Sequence, residues 1–205
     1  MKIKSIHKII HNSKRYDIEV KNNSNFFANN ILVHNCTMYN NFMHARSINS
    51  DNHPSRAWVK NLWAQKGYNI PEGWRVCGEN MFAKHAIHYT KEKENALSTY
   101  FYMFSIWDER NVCLSWNETE EWAELLELTL VPVFYKGIWD MAIIEDLNKK
   151  MESNTDTIEG YVVRLLREYH YSEFRNVCGK YVRKNHVSLN HGHWAQRKII
   201  KNELK

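Results

Sequence analysis

Tyr100-Phe101-Tyr102-Met103-Phe104-Ser105-Ile106-Trp107 is an aromatic-rich octapeptide with no glycine or proline. Its length and composition read as a strand rather than a helix. Working outward, Trp74-Arg75-Val76-Cys77-Gly78-Glu79 reads the same way, as do Ile158 to Leu166 and Gly179 to Arg183. Between these lie helical patterns. Pro54 to Gln65 carries Pro54 near its start and Trp58, Leu62 and Trp63 on one side. Glu118 to Leu128 is amphipathic, with Asn117 or Thr119 as its expected cap and acids in the first turn. Trp139 to Met151 predicts a third helix. Strands and helices in this irregular order imply an α+β domain, not a regular βαβ array. No internal repeat is visible.

Composition limits the function classes. A chain of 205 residues that is 43% hydrophobic is globular in character, unlike a disordered tail. No apolar stretch reaches the length of a membrane span, and the first residues lack a signal peptide's apolar segment. The expectation is therefore a cytoplasmic protein with no membrane partner. Cys36, Cys77, Cys113 and Cys178 are widely spaced with no Cys-x-x-Cys pair, which argues against a zinc site or a disulfide framework. The last three read as reduced, buried thiols. Eleven histidines show no His-Glu-x-x-His spacing.

Charge is concentrated at one end. Residues 1–35 hold six basic and two acidic side chains, while the remaining 170 residues hold 22 and 21. Such a segment suits either an acidic partner or a strand edge kept soluble by lysines. Lys2 to Ile6 and Tyr16 to Val20 alternate as strands, and Phe26 to Val33 is apolar around Asn29-Asn30. Thirty-five residues cannot bury a stable core unaided.

This segment ends in Ile31-Leu32-Val33-His34-Asn35-Cys36. The Asn35 amide is placed to attack its own carbonyl, His34 to supply a proton, and Cys36 to accept an acyl group as thiolate. With Tyr16-Asp17-Ile18-Glu19-Val20 and Asn25-Phe26-Phe27-Ala28 before it, the segment resembles the C-terminal fragment of a split intein. The resemblance implies that Asn35 cyclises, that Asp17 assists proton transfer, and that residues 1–35 are excised. It also implies a separate partner chain carrying the intein N-fragment. Ser24 stands where inteins usually have histidine, and Asn30 where glycine is common.

Residues 36–205 carry a second set of motifs. Gly78-Glu79, Phe101 to Trp107, Glu159-Gly160 and Lys180 to Arg183 occur in the order and spacing of the covalent nucleotidyltransferases. They resemble the RNA ligase branch most closely, and His44-Ala45-Arg46-Ser47 looks like the segment after that family's first motif. The first motif itself, Lys-x-Asp-Gly, is missing, and Cys36 to Tyr39 looks like the strand that follows it. The implied fold is a short β-rich (Hint-type) intein fragment over 1–35, followed over 36–205 by a ligase adenylation domain without its N-terminal segment.

The implied cofactors are ATP and Mg²⁺, and the implied substrate is RNA. Glu79 would bind ribose, Phe104 or Tyr102 would stack on adenine, Glu159 would help place the metal, and Lys180 would hold the α-phosphate. Arg46 and Arg183 would contact RNA or phosphate. Val182 follows Lys180 by two residues where a second lysine is usual, which leaves Arg183 on the opposite strand face barring a bulge. Read one at a time, Phe104 also suits a core position, and Lys180 with Arg183 a solvated basic face. A DNA ligase, a capping-type enzyme or a non-catalytic nucleic-acid-binding module are the alternatives. The nucleophilic lysine would come from the partner, so this chain alone is expected to be inactive as a ligase.

Overall fold

A computed structural model describes residues 3–9, 15–20, 27–28, 31–32, 36–44, 54–84, 87–92, 96–153, 158–182 and 199–205, the first four stretches as backbone only. The N-terminal strands are β1 (Ile3–Ile9) and β2 (Arg15–Val20), an antiparallel pair with His7 opposite Asp17, and β3 (Phe27–Ala28) and β4 (Ile31–Leu32), a second pair. The alternation in Tyr16 to Val20 thus does form a strand.

The main sheet is built from β5 (Cys36–Met38), β6 (Met43–His44), β7 (Arg75–Asn80), β8 (Phe101–Trp107), β9 (Val112–Cys113), β10 (Thr129–Leu130) and β12 (Tyr169–His170). Its order is β12-β9-β8-β7-β5-β6, with β10 pairing parallel to β8. The opening octapeptide is therefore the central strand. A separate antiparallel pair joins β11 (Gly160–Arg164) to β13 (Cys178–Val182). The helices are α1 (Ala57–Lys66), α2 (Trp116–Leu125), α3 (Met141–Ser153) and the single turn α4 (Phe174–Val177). The α+β reading of residues 36–205 agrees with this mixed architecture and its antiparallel sheet.

The strand registers divide the sheet into two faces. Met38 opposes Val76, which opposes Ile106; Cys36 opposes Gly78, which opposes Met103. These residues are buried with Val59 of α1 and Ala123 of α2 in the larger core, where Trp58, Leu62, Trp63 and Trp122 pack at the margin. A second cluster on the other face joins Trp107, Cys113, Tyr169 and Val177, with Cys77, Tyr171 and Phe174 beside it. Burial of so many large apolar groups, each worth about 1.5–3 kcal/mol, makes these two clusters the main source of stability.

Helix ends depart from the sequence expectation. Helix α2 starts two residues before Glu118, because Ser115 is the cap: its hydroxyl accepts from Glu118 N, and the Glu118 carboxylate accepts from Ser115 N at 3.0 Å. Asn117 and Thr119 fall inside the helix, and the Thr119 hydroxyl donates to Ser115 O at 2.8 Å. The helix stops at Leu125 because Glu127 takes a left-handed φ of 50°. Glu127 N then donates to Glu124 O and Leu128 N to Ala123 O. That is the Schellman arrangement, here without glycine. Helix α3 runs two residues later than expected at each end.

Candidate active site

Glu79 sits on β7 directly opposite Tyr102 of β8. One residue back, Gly78 opposes Met103, and Cys77 opposes Ser105, so Phe104 is left without a partner on β7. Phe104 is thus the extra residue of a β-bulge, a device that re-aims side chains beside functional sites. Gly78 permits the close packing here, since a Cβ would lie 2.3 Å from the Phe101 ring. Tyr102 is half-buried, and its hydroxyl accepts from Ser98 N at 2.9 Å, which fixes the ring next to Glu79.

Glu159 immediately precedes β11, and its Oε1 accepts from Ile87 N at 3.0 Å. Lys180 lies on β13 opposite Val162 and is exposed. Gly160 brings the two strands together closely: a Cβ would stand 2.2 Å from Tyr181 O. Any side chain there would push β11 from β13.

Electrostatics ties these residues into one cluster. Burial pushes the Glu79 carboxyl up to about 8; the Lys180 ammonium pulls it down, and the Glu159 carboxylate adds to the rise. The Tyr89 phenol, which pattern reading passed over, belongs to the same cluster. Burial raises it first, and Glu159, Tyr102 and Glu79 raise it further. A carboxyl that is largely protonated near neutrality, beside a second carboxylate and a free-ended cation, is the kind of perturbed group that marks a site. Among the described residues no group of three or more potential metal ligands occurs. Two carboxylates suit Mg²⁺ only where substrate phosphates complete the shell.

The sequence-derived residues divide accordingly. Glu79, Glu159 and Lys180 come together, with Tyr102 facing Glu79 and Phe104 at the bulge. Cys36 lies in β5 and is 2% exposed. Burial pushes its thiol up to about 12, with Glu79 adding to the rise and Arg56 opposing it. A thiol so placed is a core group, and its burial favours the neutral form over the thiolate expected of Cys36. Asp17 is placed by its backbone alone, on β2. His34, Asn35, Arg46 and Arg183 lie outside the described residues, as do Ser24 and the histidines at 186, 191 and 193. Cys113 is buried; Cys77 and Cys178 are half-buried rather than fully enclosed, and all three thiols are free with burial raising each.

Arg164 was legible only as the end of a motif. Its guanidinium donates to Phe104 O at 3.3 Å and Leu114 O at 3.0 Å, and lies over the Trp116 and Tyr169 rings. It therefore fastens β11 to the bulge carbonyl of β8.

This mixed architecture with its largely antiparallel sheet fits an RNA ligase domain. The family model for RNA ligase matches residues 21–182, most of the chain, and the chain belongs to the RNA ligase family. No curated protein and no solved structure matches it. The matched span begins inside residues 1–35, so Lys21 to Asn35 are shared between the ligase model and the segment read from its motifs as an intein fragment. No described helix is long and apolar enough to cross a membrane.

Proposed function

We propose that this chain supplies the nucleotide-binding face of an ATP-dependent RNA ligase that seals 5′-phosphate to 3′-hydroxyl ends. The observation that carries the reading is the convergence of Glu79, Glu159 and Lys180, from three separate motifs, into one electrostatic cluster. The Glu79 carboxyl holds a ribose hydroxyl, and Tyr102, with Phe104 beside it, offers the ring for adenine. Lys180 pairs with the α-phosphate, and its exposure leaves the ammonium free to follow that group as it moves. Phosphoryl transfer asks the protein chiefly for positioning and neutralisation of charge. Glu159, together with substrate phosphates, would hold a Mg²⁺ ion, which would supply part of that neutralisation.

The nucleophilic lysine comes from polypeptide outside these 205 residues, since Lys-x-Asp-Gly does not occur in them. In this reading it is joined at Cys36 by splicing, through the intein chemistry of His34, Asn35 and Asp17 and a separate partner chain. Supporting it is the position of Cys36, the first residue of β5, which pairs with Glu79's strand. Because β5 already pairs with β7 and buries the thiol in the unspliced chain, acyl capture in this reading requires Cys36 to leave that pairing first, and the sheet closes again afterwards.

The test is to mix the chain with a polypeptide that carries Lys-x-Asp-Gly followed by a split-intein N-fragment, then add labelled ATP and nicked RNA. Mass spectrometry is expected to find a joined product bearing AMP and a free peptide of residues 1–35. An Asn35→Ala chain is expected to give neither. Joined product from Asn35→Ala, or an AMP adduct on the 205-residue chain alone, would refute splicing. A joined product that takes no AMP would refute the ligase. Sealing of nicked DNA but not RNA would move the assignment to a DNA ligase.

A further inference from the structure

Residues 199–205 lie beyond the span matched to the RNA ligase model, yet they are stitched into the wall of the site. Asn202 is the centre of this seam and is 1% exposed. Its Nδ2 donates to Met81 O at 2.8 Å, and its Oδ1 accepts from Tyr89 N at 3.0 Å. Its own N–H donates to Phe82 O, and its carbonyl accepts from the Tyr100 hydroxyl at 2.8 Å. On either side, Lys84 N donates to Ile200 O, Glu203 N to Tyr89 O, and Lys205 N to Leu97 O. The Lys201 ammonium lies over the Phe82 and Tyr100 rings.

Both side-chain bonds of Asn202 end on the segment that follows Glu79 in sequence. That segment returns to the site at two points. Ile87 N meets the Glu159 carboxylate, and the Tyr89 phenol stands within electrostatic reach of Glu79, Glu159 and Tyr102. A buried amide with both of its polar ends used, each on a different strand of the same loop, is costly to leave unpaired, at about 1–3 kcal/mol per group. Such a group fixes geometry as well as adding stability. The Asn202 side chain ties Met81 to Tyr89 directly, beside the main-chain bonds from Asn202 to Phe82 and from Glu203 to Tyr89.

We propose that Asn202 is a positioning residue of the nucleotide site: by bridging Met81 and Tyr89 it holds the Ile87 N–H on Glu159 and the Tyr89 ring beside Glu79. This rests on the nucleotide-binding reading above. The C-terminal segment is then part of the site's wall and not an appendage to it. When the wall is displaced, the Ile87 N–H leaves the Glu159 carboxylate and nucleotide affinity falls.

The experiment is titration of AMP onto the intact chain, which needs no nucleophilic lysine, across pH 6–10, with thermal unfolding measured in parallel. Asn202→Ala is expected to weaken AMP binding about tenfold, a change of about 1.4 kcal/mol. Tyr89→Ala keeps every main-chain bond to Asn202 and Glu203, so it tests the same wall if Asn202→Ala does not fold. It is expected to unfold at nearly the wild-type temperature and to show a similar loss of AMP affinity. A folded Asn202→Ala or Tyr89→Ala chain with wild-type affinity would overturn the inference alone. Absence of AMP binding by the wild-type chain would overturn the nucleotide reading, and this inference with it.

Discussion

At the scale of single residues, Glu79 makes a distinct contribution to the pH behaviour of the molecule. Its carboxyl titrates at about 8 in the fold, well above the ordinary value of 4.5, because burial disfavours the charged form. Between those two pH values the folded chain holds a proton that the unfolded chain has released. Stability therefore falls as pH rises through that window, and the full cost is present above about 8. Binding runs the opposite way: a carboxylate accepts from a ribose hydroxyl more strongly than a neutral acid does. Wild-type AMP affinity is expected to rise several-fold, on the order of one charge-assisted hydrogen bond, from pH 7 to pH 9. Glu79→Gln is expected to flatten both curves, and calorimetric titration with thermal melts at the same pH values checks them. A wild-type affinity that does not change with pH would remove Glu79 from the ribose. The residue types at Glu79, Glu159 and Lys180 were readable from their motifs. The value near 8 was not, because it depends on three segments folding onto one another.

At the scale of elements, helix α2 shows what local sequence does and does not decide. The acids of its first turn and its apolar spacing fix a helix there, and Trp116, Thr119 and Ala123 are the positions it buries. Its start is set by Ser115, whose reciprocal bonds with Glu118 outcompete Asn117 and Thr119 as caps. Ser115→Ala is expected to cost about 1 kcal/mol, within the usual range for loss of a cap. That corresponds to a fall of roughly 2–4 °C in melting temperature for a domain of this size. Asn117→Ala, by the same measurement, is expected to change little beyond its contact with Lys136. If the two variants melted alike, Ser115 would not be the cap. Strands β11 and β13 give the converse case. Their sequences predicted strands, but their pairing through Gly160 is a matter of close backbone approach.

For the whole molecule, Arg164 decides how the two-stranded sheet meets the large one. It donates to the carbonyls of Phe104 and Leu114 and lies over the Trp116 and Tyr169 rings. Arg164→Ala leaves those carbonyls without their donor and is expected to destabilise the chain by about 2 kcal/mol or more. Arg164→Lys is expected to recover little of it, since one ammonium lacks the planar fork that reaches two carbonyls. Urea denaturation of the three proteins checks this, and a lysine variant as stable as wild type would show that charge alone suffices. By itself the sequence determined the mixed architecture, the central strand at Tyr100 to Trp107, and the residue types of the site, because strand composition and motif spacing are local properties. Tertiary structure alone decided that Phe104 is bulged, that Cys36 is a core thiol, and that Asn202 reaches across more than a hundred residues to Met81 and Tyr89. Those outcomes depend on register and on which chain segment covers which, and neither is encoded in the periodicity of any one stretch.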